Sequence, residues 1–491
     1  MTNLTLVPQP TSITAVSTSG LAALQSAYAL FRSGGSFYVI DRHQLADVQA
    51  GKRTEIEFFK KQEAEVLLKR FLENQAIACD AKLVIHQFWT NPNTKVFDRI
   101  TFSPLPQPAT TINYWVGPTA KPHLGNCDII KAFLLNIICS GSSVVFTYLF
   151  CFLAHMLQRP EEKPGIIIVL LGGQGTGKGT FFRILRAIWD RTTIQVSDIE
   201  EVIGRFNAAL ERNYIVCMDE AMFSGDKKAV DRLKSLVTET TCRIEQKYQP
   251  ARTIDSYHRF FAASNHSQFA HIEQDDRRFA FLRVSDDAKG NHQFFGQISK
   301  AIEDPVVIDA LFYELVNLDI SQFNVRKKPQ TSELIRQKLR SLDGFSRFWY
   351  EVLTAGSLTG HSEAVSPWIC TIFIPTGTLV RNYTSFNKRA DWYRTVQQDD
   401  LIQEFKRLCP SAIQTRQQEK YHGQRRGWSL PDLVTARHEF EIHIGGPVNW
   451  QDDISPDPGF DATTLDQYWA GRDPARKSVE EIFTNWNNDD D

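Results

Sequence analysis

The sequence predicts an α/β protein built on a P-loop core, flanked by smaller mixed α+β regions. Three observations carry this. Gly172–Thr180 reads GGQGTGKGT directly after the continuous apolar run Ile166–Leu171. Two further runs, Tyr214–Met218 and Arg259–Ala263, lack polar–apolar alternation, which is the pattern of parallel strands covered on both faces. Helical periodicity falls between them, as over Thr180–Trp189, and strands alternating with helices give an α/β sheet.

Each run has a chemical consequence at its end. A polyphosphate is wrapped by backbone N–H groups, and glycine lets the chain turn tightly enough to do so. Gly172, Gly173, Gln174, Gly175, Thr176, Gly177, Lys178, Gly179 and Thr180 therefore form the candidate cradle. The helix that follows aims its N-terminus at the phosphates, and the Lys178 ammonium reaches the outer ones. Gly179 departs from the pattern, because a magnesium-binding hydroxyl normally follows the lysine. Either Thr180 takes that role or water and acids hold the metal alone.

The second run ends in Asp219-Glu220, which places two carboxylates at the sheet edge beside the loop. Asp219 is the candidate magnesium ligand and Glu220 the candidate base for an attacking water. The third run ends in Ser264-Asn265, and Asn265 is a candidate for orienting that water. Asp275-Asp276-Arg277-Arg278 follows. Arg277 or Arg278 is a candidate for stabilising charge in a neighbouring subunit's site, with a surface salt-bridge cluster as the other reading.

The remaining features bound the function. With 491 residues, the chain is long enough for about three domains. Its formal net charge of -2 removes any argument for nucleic acid from charge alone, so a nucleic-acid surface has to be a local patch. None of the eight cysteines forms a C-x-x-C pair, which excludes a zinc ribbon or disulfide framework and suits a reducing cytoplasm. Ile129–Leu157 is apolar but carries Lys131, Asn136 and His155 and is interrupted by Ser140–Ser143. It predicts two buried helices and no membrane span. Lys82–Phe88 and Val96–Phe102 read as strands, and Glu55–Asn74 as a helix.

The ordered motifs GGQGTGKGT, IVCMDEA, LKSLVTETTCRIEQKYQ, FFAASNHS and DDRRF resemble those of superfamily 3 helicases, a branch of the AAA+ ATPases, and most of all the primase-associated helicase of phages and prophages. The likeness spans about Ile166–Val284. It implies ATP and Mg2+ as cofactors, Lys178 as the Walker A lysine, Asp219 and Glu220 as the Walker B acids, Asn265 as sensor, and Arg277 or Arg278 as a finger acting in trans. It also implies a DNA-gripping hairpin within Lys234–Tyr248, with Lys247 the first candidate contact and Lys234 and Tyr248 behind it.

With the resemblance, the domain expectation is a flexible leader (1–20), an N-terminal α+β domain (21–120), a helical collar (121–163), an AAA+ ATPase domain (164–325), a winged-helix-like C-terminal DNA-binding domain (330–450) and an acidic tail (451–491). In the C-terminal domain, Asp399–Leu408 would be a helix and Gln414–Trp428 a wing. Arg381, Lys388, Arg389, Trp392, Arg394, Arg416, Lys420, Arg425, Arg426 and Trp428 interleave base and aromatic, as phosphate contact and base stacking require, although an ordinary basic surface over core tryptophans fits equally.

The function these readings imply is a ring-forming, ATP-driven helicase on single-stranded or forked DNA. It would be a homo-oligomer, by family expectation a hexamer, working in a bacterial host cytoplasm beside a separate primase or initiator. No convincing acidic set for primer synthesis precedes Gly117. The alternatives are an ATP-dependent initiator or interference factor that does not unwind, and a small-molecule phosphotransferase, for which GKGT is also a known form.

Overall fold

The computed structural model describes residues 13–52, 54–220, 227–246, 251–342, 344–358, 368–389, 398–419 and 423–450. At its centre is a five-stranded sheet of β1 (Ile167–Leu171), β2 (Thr193–Val196), β3 (Ile215–Met218), β4 (Arg259–Ser264) and β5 (Phe279–Arg283). The spatial order is β5-β1-β4-β3-β2, and every pairing is parallel. All side chains of β1, β3 and β4 are buried, which is why these runs do not alternate. Helix α1 (Lys178–Ile188) follows β1, and α2 (Lys227–Thr238) lies between β3 and β4 in sequence.

The helices expected as a collar share one hydrophobic core with this sheet. The chain runs through Asp128–Phe133, continues as a π-helical turn over Leu134–Ile138, and resumes as the helix Ser143–Gln158. Phe152 meets Phe261 of β4 edge-on at 6.0 Å, and the Tyr214 hydroxyl donates to Met156 O at 2.9 Å. The boundary expected at 163 therefore crosses a continuous apolar contact. None of the helices among the described residues is long and apolar enough to cross a membrane.

The N-terminal region departs from expectation in two places. Ile13–Ala27 is a helix where a loose leader was expected up to residue 20. Its Leu24 is fully buried among Leu68, Val84 and Phe88, and that packing outweighs its Ser/Thr-rich composition. Lys82–Phe88 lies within a helix, Ala81–Thr90, and is not a strand. Asp80 caps it by accepting from the N–H groups of Lys82 and Leu83. The strand expectation around Val96–Phe102 corresponds to Val96–Phe97 and Arg99–Thr101.

Residues from Ile335 to Val448 build a separate core. A hairpin of Ile413–Glu419 and Gly423–Leu430 stands beside the helix Gln398–Leu408, and Ile372–Pro375 adds a third antiparallel strand. Trp428 is fully buried, with its ring against Phe405 at 5.2 Å. It is a core residue, which corrects its candidacy for base stacking. Trp392, Arg394, Lys420 and the acidic tail lie outside the described residues.

Two outcomes follow. Trp428→Ala should lower the stability of the C-terminal unit by about 3–5 kcal/mol, read by chemical denaturation. His155, His258 and His443 are all held down to about 4, in each case chiefly by burial. Their folded pKa lies below the unfolded value near 6.5, so the unfolded chain takes up protons first on acidification. Stability should therefore fall as pH drops from about 6.5 towards 4; denaturation midpoints that stay flat over this window would contradict it.

Candidate nucleotide-binding site

The site begins where β1 ends. Gly172 leaves the strand with its N–H donating to Ser264 O at 3.3 Å, while Val284 N donates to Leu171 O at 2.8 Å. A Cβ on Gly172 would stand 3.1 Å from Val284 and from the Thr176 hydroxyl. Gly177, the residue before α1, has φ +102°, and a Cβ there would meet the rings of Phe295 and Phe133 at 3.0 and 3.1 Å. Glycine is thus required twice over at this turn. Gly179 faces open space instead. Thr180 is half-buried in the first turn of the helix.

Lys178 is buried, and its ammonium donates to Gly172 O at 2.8 Å and Gly173 O at 2.6 Å. Burial lowers its pKa, while Asp219, Asp286 and Glu220 act to keep it charged. The Thr176 hydroxyl donates to Gly173 O at 2.9 Å, closing the loop on itself.

Asp219 follows β3 at the same edge, with its N–H on Val196 O of β2 at 2.8 Å. One carboxylate oxygen accepts from the Gln195 side chain at 2.7 Å, and the other from Glu220 N at 3.1 Å. Glu220 is exposed and has φ +53°, an uncommon conformation for a non-glycine residue that often marks functional positions. Asn265 is exposed just beyond β4. The structure therefore gathers Gly172–Thr180, Asp219, Glu220 and Asn265 along one sheet edge.

It does not bring the other candidates there. Ile167 N donates to Arg278 O at the start of β5, so Arg278 and the exposed Arg277 lie at the opposite edge. Asp276 accepts from the N–H groups of Arg278 and Phe279 and serves to cap the strand. Lys234 is buried on α2, 2.9 Å from Glu273 and 3.7 Å from Asp276. This engagement corrects its candidacy as a DNA contact. Lys247 and Tyr248 lie outside the described residues.

Three residues at the site escaped the sequence reading. Gln195 holds Asp219. Asp286 and Lys289 lie against Gly173, where a Cβ would be 3.2 Å from the Asp286 carboxylate and 3.5 Å from the Lys289 ammonium. Their signal was the charged stretch directly after β5, at the edge where ligands bind in open α/β sheets.

Against known proteins, residues 170–278 match a family model described as a family of unknown function, DUF5906. A stretch of 168 residues is 27% identical to the DNA primase-polymerase of Nitratiruptor phage NrS-1, covering 34% of this chain. The chain spans 23% of that relative's length. The fold resembles two apo structures of the NrS-1 C-terminal region. One has a TM-score of 0.59 at 16% identity, covering 83% of this chain and 98% of that one. The other has a TM-score of 0.58 at 16% identity, covering 84% and 97%. These findings overturn the superfamily 3 assignment, and with it the ATP-driven ring helicase and its ATP hydrolase activity, because the relative found is a primase-polymerase.

The loop geometry separates two glycines that look alike in sequence. Gly177→Ala should destabilise by more than about 1 kcal/mol, given its left-handed backbone and the two rings beside it. Gly179→Ser should stay within about 1 kcal/mol of wild type. Thermal melts of the two variants side by side read the difference.

Proposed function

We propose that this chain serves phage-type DNA replication as a protein of the primase-polymerase kind, and that Gly172–Thr180 is where it takes a nucleoside triphosphate with a divalent cation. The observation that carries the proposal is a convergence at one sheet edge. A glycine-lined helix N-terminus, a buried ammonium and two adjacent carboxylates meet there. Helix N–H groups and a cation suit a polyphosphate, and a carboxylate already oriented by Gln195 suits Mg2+, which is bound through one or two carboxylates together with substrate phosphates. On binding, the Lys178 ammonium would exchange the carbonyl oxygens of Gly172 and Gly173 for phosphate oxygens. Asp219 would hold the cation, with Thr180 in the first turn of the helix as the available hydroxyl.

Single-stranded DNA is the polymer partner this reading implies, met in the host cytoplasm. Arg416 and Arg426 stand directly opposite each other across the hairpin, both exposed. Like charges in that register repel, and a phosphodiester backbone would relieve them.

The test has two readouts. Binding of a fluorescent nucleoside triphosphate with Mg2+ should weaken at least about tenfold in Lys178→Ala, the scale of losing a charge-assisted hydrogen bond. Incorporation of labelled nucleotide on a single-stranded template should fall in the same variant. Wild-type protein that neither binds triphosphate nor extends on a template would sink the proposal.

A further inference from the structure

A second pocket lies at the opposite edge of the sheet. A cleft of about 290 Å3 opens between the N-terminal region and the starts of β2 and β3, with Gly51, Tyr114, Arg191, Arg212 and Asn213 among its walls. It approaches the smallest small-molecule sites in volume, about 300 Å3.

Its walls carry Lys52, Arg191, Arg212 and Arg252 against Glu55 and Glu211, an excess of positive charge. Arg212 lies over the Tyr114 ring at 4.3 Å and donates to Thr54 O at 2.5 Å and to the Tyr114 hydroxyl at 3.4 Å. Arg191 donates to Ala50 O at 2.9 Å. Its side chain lies directly over Gly51, in the space a Cβ there would occupy. Among the described residues no carboxylate stands within ion-pair distance of either guanidinium, whereas the nearby Arg252 is ion-paired with Glu211. A guanidinium carries five N–H donors in a planar fork, and the bonds above leave donors unused on both side chains. Two held arginines lacking carboxylate partners beside a nucleotide-sized cleft fit an anion that takes donors in pairs, as phosphate does.

We infer that this cleft is a second binding site, distinct from the glycine loop, for a phosphate-bearing ligand of mononucleotide size, held by Arg191 and Arg212. The phosphate can come from a free nucleotide or from the terminus of a DNA strand, and both present the same group to the two guanidinium forks.

The experiment uses the full chain carrying Lys178→Ala, so that the glycine loop contributes little, and measures binding calorimetrically. The probes are deoxyadenosine monophosphate, a 5′-phosphorylated oligonucleotide and the same oligonucleotide without the phosphate. Saturable binding of the mononucleotide, lost at least tenfold in Arg191→Ala and in Arg212→Gln, assigns the site to free nucleotides. Binding of the phosphorylated oligonucleotide alone, with the same two losses, assigns it to a strand end. Arg191→Lys should restore part of the affinity, since it keeps the charge but not the fork. The inference is overturned if no probe binds, if binding ignores both arginine substitutions, or if the unphosphorylated oligonucleotide binds equally well. Arg191 is exposed, so its substitution tests the cleft without removing a core contact, and a thermal melt of each variant checks that it is folded.

Discussion

The site depends on β1 being hydrogen-bonded on both sides at once. Leu171 stands opposite Ser264 of β4 and Arg283 of β5, so the strand's last residue is fixed by two ladders. Because every side chain of β1 is buried, a slip of one residue would break both ladders and repack both faces. Gly172 consequently leaves the sheet at one defined point. The same logic places Asp219, since Met218 pairs with Ala262 of β4 and with Val196 of β2. The separation of loop and carboxylate is therefore set by backbone pairing, not by the site's own side chains.

Such a sheet needs its entry secured as well as its exit. The segment from Arg159 to Gly165 brings the chain from a buried helix into β1, and its carbonyl groups have to find partners. Arg259, fully buried at the start of β4, donates to the carbonyls of Arg159, Pro160 and Glu162 while its guanidinium lies 5.0 Å over the Tyr214 ring. Lys163 donates to Leu236 O, Glu239 O and the Ser256 hydroxyl, and burial lowers its pKa to about 7. A strand that opens with a buried arginine looks anomalous in sequence. In the fold, that arginine satisfies the linker's carbonyls.

What was legible in the sequence follows from how local each signal is. The runs at β1, β3 and β4 were readable because burial on both faces leaves no alternation, and the glycine loop because its backbone geometry demands residue types at fixed spacing. The helix Ala81–Thr90 was misread because an apolar run as short as Leu83–Ile85 has no period of its own; the cap at Asp80 was the better signal. Lys234 was misread because its partners Glu273 and Asp276 lie about forty residues away and no local pattern announces them. Trp428 and Arg416 looked alike as members of a basic–aromatic stretch, yet they lie on the two paired strands of the hairpin, Trp428 fully buried where it meets Phe405 and Arg416 exposed further along.

The functional misreading has a different origin. A glycine loop followed by paired acids specifies what is bound, and the structure assembles those parts at one edge. What the binding energy is used for lies elsewhere in a molecule, because one site geometry recurs on proteins of unrelated function. A helicase reading needs arginines that reach a phosphate and a basic hairpin that grips DNA. In this chain Asp276 caps β5 and Lys234 is locked in an ion-pair cluster. Two residues within the motif set, Asp276 and Lys234, thus serve the cohesion of the fold. The residues that support the site without belonging to any motif are Gln195, which holds Asp219, and Asp286 and Lys289, which lie against Gly173.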